Sequence, residues 1–230
     1  MVQKRVYRAF VYKDAAFRIC CERFEAVTGE IVRRREELEA YIGRHAAFGE
    51  SLEPVDCLCE APEIARQMAW AGRLAGTGPM AAVAGAMAQR AALAALEAGA
   101  EEVIVDNGGD IYLQIVRPAR VALYTGDTPL GGRLSFSLRP EDTPVAVCSS
   151  SSRMGHSMSL GDCDLATVVA KDAALADAAA TQAANLVRTE GDIDAALAGI
   201  MAIDGIGGLL IVKNDRIGLA GKLPSIVRTG

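Results

Sequence analysis

The 230-residue chain is short of aromatic side chains, which make up 5% of it, and of histidine, present only as His45 and His156. With so little aromatic bulk the core must be filled by small aliphatic residues. Hydrophobic residues reach 51%, enough for a substantial one. Positive charge is not in excess either: 24 Lys and Arg face 29 Asp and Glu, for a net charge of −5. That balance excludes nucleic acid as the expected partner, which calls for a basic surface. Small anionic ligands and metal cations stay open. The opening MVQKRVYRAFVYKDAAFRICC is broken by charges and has no signal-peptide core. The uncharged stretch from Leu74 to Gln89 contains Gly and Pro and is too short to span a bilayer. The expectation is a cytoplasmic protein without a membrane partner.

The six cysteines form no C-x-x-C; Cys57-Leu58-Cys59 is a C-x-C, too few ligands for a zinc site. Without an export signal, reduced thiols packed as small hydrophobes are expected. There is no Gly-Lys-Ser/Thr phosphate loop and no G-x-S-x-G elbow, which excludes Walker-type nucleotide binding and the α/β-hydrolase triad.

What is present is a series of hairpins and alanine-rich helices. Segments 4–13 and 15–24 alternate apolar and polar residues around a Lys13-Asp14 turn, and a charged helix starts near Thr28. Residues 46–60 read as a loop. EIARQMAWAGRL predicts a helix with Met68 and Trp70 in the core, and a long Ala-rich helix runs to about Ala98, closed by Gly99. Two strands hinge at Asn107-Gly108-Gly109-Asp110, and VALYTG, RLSFSLR and VAVCSS are further strands. The helices AALADAAATQAANLV and GDIDAALAGIMAI follow, then a hairpin turning at Asn214-Asp215. Hairpins outnumber strand-helix-strand units, so the fold class is α+β, antiparallel sheet with helices layered on it.

Four places could carry chemistry. Asp177, Thr181 and Asn185 fall four residues apart, on one stripe of a helix otherwise coated with Ala. Asp177 and Thr181 are oxygen donors of the kind Mg²⁺ prefers; the stripe could equally be the helix's solvent face. Gly108-Gly109-Asp110 is a tight turn or a place where a ligand approaches the backbone. Thr77 and Gly78 precede a helix and either cap it or cradle a phosphate. Ser150, Ser151, Ser152 and His156, with Ser149 and Arg153, form a polar island suited to a phosphate or carboxylate, or a plain loop.

Three of these places carry a family resemblance, the run Ser150-Ser151-Ser152-Arg153 after VAVC among them as an SGxY-like stretch. Ala176-Asp177-Ala178-Ala179-Ala180-Thr181 matches the A-D-A-x-x-T metal motif of the ApbE family, the FAD:protein FMN transferases. Asp106-Asn107-Gly108-Gly109-Asp110 resembles the family's N-x-G-G-D, and Val83 to Arg90 stands where it carries AKGYAVDR. The resemblance touches most of the chain. It implies one T-fold-like domain over residues 1–230, built of two intertwined α+β units of layered antiparallel sheet. It also implies a cleft for FAD or FMN at the glycine pair, and Mg²⁺ held by Asp177 and Thr181. The departures are Ala84, Ala86 and Gln89 in place of the motif's Lys, Tyr and Asp, and no HxxDPxTG loop. They make the chain similar to the ApbE-like UPF0280 family. Two readings follow: a flavin-nucleotide site with FMN transfer, or a fold that binds another anionic metabolite, in sulfur metabolism for example. Alanine- and glycine-rich helices leave a homodimer open.

Overall fold

The computed structural model describes residues 4–126, 132–152 and 161–228. Eight strands form one antiparallel sheet in the order β1-β2-β3-β4-β7-β8-β9-β10. They are β1 Arg8–Tyr12, β2 Ala15–Cys21, β3 Val103–Asn107, β4 Asp110–Gln114, β7 Val145–Ser150, β8 Leu165–Ala170, β9 Ile206–Lys213 and β10 Arg216–Gly221. The other three, β5 Ala119–Leu123, β6 Leu134–Leu138 and β11 Ser225–Arg228, form a second antiparallel sheet in the order β11-β6-β5.

The register sets one end of the large sheet apart. Phe17 pairs with Asn107, Ile111 with Val147, and Leu165 with Val212. The β1–β2 turn, the β3–β4 turn, the β7–β8 connection and the β9–β10 turn therefore all emerge at the same end. Gly108 and Gly109 make the β3–β4 turn with φ of 69° and 109°, a backbone that favours glycine at both positions.

Six helices pack on one face: α1 Phe24–Arg44, α2 Ala46–Glu50, α3 Glu63–Ala75, α4 Val83–Glu97, α5 Ala173–Leu186 and α6 Ile193–Met201. Their alanines let backbones come close. At Gly85 of α4 an added Cβ would stand 2.1 Å from the Ala173 carbonyl oxygen of α5, so only hydrogen fits. The small sheet covers part of the other face, where Val121, Phe136 and Leu138 pack on Val147, Leu210 and Val212. The stretch Pro79–Glu97, a 3₁₀ turn leading into α4, is long and apolar enough by composition to cross a bilayer. Here it packs against α1, α5 and β3, and that core position accounts for its apolarity.

The mixed antiparallel sheets and helices agree with the α+β expectation, and several elements differ in detail. Segment 165–170 is a strand buried along its whole length; covered on both faces, it carries no alternation to read. Residues 46–50 form a helix within the expected loop, and 225–228 add a strand. The first long helix starts at Phe24, ahead of Thr28. Met68 is buried, but Trp70 is 45% exposed and so lies outside the core.

Candidate functional site

The hairpin end of the large sheet brings two carboxylates into the interior. Asp110 opens β4 on the helix-covered face, and Asp177 sits in the second turn of α5; both are buried. Asp177 Oδ2 accepts the Gly85 N–H at 2.8 Å, and the carboxylate also takes the Ala84 N–H. Asp177 thus caps α4 from a neighbouring helix, using N–H groups that the first turn leaves unpaired. The glycine that admits α5 is also the residue whose N–H reaches Asp177. Asp110 Oδ1 accepts the Ser149 N–H at 3.3 Å and lies beside the Cys148 thiol. The Asn107 side-chain amide donates to the Ala84 carbonyl at 3.2 Å, tying the β3–β4 turn to α4.

Burial is the main force on all three acids. It pushes Asp110 up to about 7, with the Ser149 N–H pulling the other way. It raises Asp177 well above the usual carboxylate range, and the neighbouring Asp110 charge adds to the rise. The Cys148 thiol is raised too, by burial and then by the two carboxylates. No described Lys, Arg or His pairs with Asp110 or Asp177. Two desolvated carboxylates without a cation hold a proton or take up a positive ion.

On the opposite face, an open cavity of about 650 Å³ lies where the free edge of the small sheet, β5, meets the β1–β4 side of the large one. That volume is in the range of small-molecule sites, roughly 300–1,000 Å³. Its floor is apolar, with Ala16, Ile104, Ile111 and Leu113 among its residues; Gly108, Gly109 and Ser149 to Ser151 belong to its wall. Tyr7, Arg18, Asp106, Arg120 and Tyr124 supply its rings and charges. The β3–β4 turn therefore belongs to both places: Gly108 and Gly109 border the cavity, and Asp110 turns inward to the acid pair.

The polar residues singled out in the sequence divide accordingly. Gly108, Gly109, Ser150 and Ser151 line the cavity. Asp110 and Asp177 form the buried pair, and Thr181, half-buried, follows Asp177 one helical turn on. The Asp177 position is thus interior, which removes the solvent-face reading for that residue. Ser152 is spent on backbone, its N–H to the Cys163 carbonyl and its hydroxyl from the Cys163 N–H. Thr77 and Gly78 stand apart from the cavity. The Gly78 N–H donates to Leu52 O, and the Ser51 carbonyl oxygen would lie 1.8 Å from a Cβ at Gly78. The Thr77 hydroxyl is buried without a hydrogen-bond partner among the described residues. His156 lies outside the described residues. Sequence reasoning missed Tyr7, Arg18, Arg120 and Tyr124, which belong to no motif; only strand alternation around them gives any signal.

Gln89, where the resembling motif has Asp, accepts the Ala173 N–H at 2.8 Å and so holds the first turn of α5. Asp172 caps the same turn through the Leu175 N–H. Among the described residues no group of three or more His, Cys, Asp or Glu converges as a metal site. The oxygen donors that fit a hard divalent ion are Asp177, Thr181 and the adjacent Asp110.

Residues 15–209 match the family model described as "AbpE bacteria". A UPF0280 protein of Methanocella arvoryzae is 41% identical over 198 residues, covering 86% of this chain and 80% of its own. A UPF0280 protein of Archaeoglobus fulgidus is 38% identical over 224 residues, covering 94% and 92%. Among solved structures, the flavin transferase ApbE from Vibrio cholerae superposes with a TM-score of 0.56 at 15% identity, over 96% of this chain and 97% of its own. The ApbE protein of Thermotoga maritima gives 0.57 at 14%, over 98% and 97%. At such identities the likeness is one of fold.

Proposed function

The chain belongs to the UPF0280 family, and on that premise we propose that it binds a flavin nucleotide, FAD or FMN, with Mg²⁺ at the hairpin end of its large sheet. The observation that carries this reading is the buried pair Asp110 and Asp177, left without a described cationic partner on a fold shared with flavin transferases. Asp177 and Thr181 hold the metal, and Asp110 adds negative charge beside it. Bound there, the metal supplies charge neutralisation for a phosphate or phosphoanhydride. The chain's own residues do the rest. Gly108 and Gly109 let the ligand reach the backbone, and Ser150 and Ser151 offer hydroxyls. The apolar floor of the cavity excludes water from the ring.

Transfer of FMN to an acceptor hydroxyl is the finer form of this reading. A second reading, another anionic metabolite in the same cleft without transfer, is favoured by one observation. Gln89 is committed to the Ala173 N–H, so this position of the motif holds a helix end. Calorimetric titration of FAD with and without Mg²⁺ tests the first reading. Metal-dependent binding that Asp177→Asn weakens at least tenfold supports it. Binding of neither FAD nor FMN overturns it and leaves the second reading.

A further inference from the structure

The cavity carries an imbalance that the metal reading does not use. Of its two guanidiniums, Arg18 is already engaged: it lies 3.3 Å from Asp106 Oδ2, and its Cζ is 5.0 Å from the Tyr7 ring centre. Arg120, from β5 of the small sheet, lines the same cavity and has no ion pair or hydrogen bond among the described residues. It is exposed, so its charge is not sequestered in the fold. The tip of the same strand continues into Tyr124, which also lines the cavity and is 58% exposed. An uncompensated guanidinium, flat rings and an apolar floor together suit a planar ring compound with an anionic group. In a chain of net charge −5, this is a local site for negative charge.

We infer that Arg120 is the metal-independent anchor for the ligand's phosphate, with Tyr124 against the ring, so that specificity for a phosphorylated ring compound is set by the small sheet. The inference rests on the cavity being the nucleotide site, as proposed above. It adds a second source of positive charge on the opposite face of the sheet from Asp177. Arg120 is a positioning and specificity residue that takes no part in bond making.

The test is a set of paired titrations in EDTA, followed by fluorescence or calorimetry: FMN against riboflavin, and AMP against adenosine, into the wild type and Arg120→Ala. The expected result is that the wild type prefers FMN to riboflavin about 10- to 100-fold, the loss associated with one charged hydrogen bond. Arg120→Ala abolishes the preference while riboflavin binds as before, and Arg120→Lys recovers part of it. A phosphate preference that survives in Arg120→Ala overturns the inference and leaves the flavin reading standing. If flavins do not bind but AMP does, with the same Arg120 dependence, the flavin reading fails and the anchor stands. Equal loss of riboflavin and FMN in Arg120→Ala, or no binding of any of the four, overturns the anchor.

Discussion

The two faces of the large sheet use polar groups in opposite ways. On the helix face almost every one is already spoken for: Asp177 caps α4, Asp172 and Gln89 hold the start of α5, and Asn107 reaches the Ala84 carbonyl. The alanine packing that allows this leaves no room: at Gly85 the α4–α5 contact admits only hydrogen. On the other face the small sheet covers only part of the large one, and Arg120, Tyr124 and Ser150 border open space. On the first face most polar groups set the fold and the acid pair Asp110 and Asp177 is what remains for a metal ion; on the second, Arg120 and Tyr124 border the open cavity. Changes on the helix face away from the acid pair should move stability, and changes at the cavity should move binding.

The largest expected effect comes from the acid pair. Asp110 is raised from an ordinary value near 3.8 to about 7, chiefly by burial. A raised acid binds its proton more tightly folded than unfolded. Its stabilising contribution is full below about pH 4 and is lost as pH rises through about 7. Between those limits the metal-free protein should lose stability as pH rises, and Asp177, raised as well, adds to the loss. Urea unfolding in EDTA at pH 5 and pH 8 measures it, and Asp110→Asn should flatten the slope. An unchanged slope in that variant would mean that the helix face does not hold this carboxylate dry.

Next in size is Gly85→Ala. The new methyl meets the Ala173 carbonyl oxygen at 2.1 Å and its carbon at 2.8 Å, both backbone atoms that cannot swing aside. Overpacking of this kind costs about 3 kcal/mol, and in a chain of this size each kcal/mol lowers Tm by roughly 2–4 °C. Thermal unfolding of the variant checks it, and a Tm within a degree of the wild type would show that α4 and α5 separate freely. Smaller again is Glu102→Gln. Arg5 grips Glu102 through two bonds, at 2.8 and 2.7 Å, and donates to the Arg117 and Pro118 carbonyls. This clasp joins the start of the chain, including Tyr7, to the approach to β5. Losing its charge should cost about 2 kcal/mol and loosen the cavity wall, read as weaker ligand binding alongside lower stability. With Asp177→Asn, it is a change expected to move both quantities.

How much of this could be read from the sequence depends on the face. The hairpins, the long helices and the glycine turn carry local signals: alternation, Ala-rich runs and paired glycines at positive φ. Strand β8 carries none, because a strand buried on both faces is a plain apolar run. The spacing of Asp177 and Thr181 was visible as a stripe. That Asp177 is buried beside Asp110 depends on residues about seventy positions apart meeting across a helix–sheet interface, which no local pattern encodes. The cavity was least legible of all. Tyr7, Arg18, Arg120 and Tyr124 come from three strands or their ends, in two sheets, and each reads singly as an ordinary exposed residue.

The smallest expected effect on stability is therefore the sharpest test of the comparison. Tyr124→Ala removes a ring that is already 58% exposed, and its backbone lies just beyond the end of β5. Surface substitutions of this kind stay within about 0.5 kcal/mol. The same ring, laid against a ligand's ring, is worth about 0.5–1.5 kcal/mol, or roughly a threefold to tenfold change in affinity. Urea unfolding and FMN titration on one preparation of Tyr124→Ala separate the two. Unchanged stability with weakened binding is the outcome the cavity requires. A variant that unfolds more easily but binds as before would place Tyr124 with the groups that build the fold, and the distinction between the faces would fail at its most exposed point.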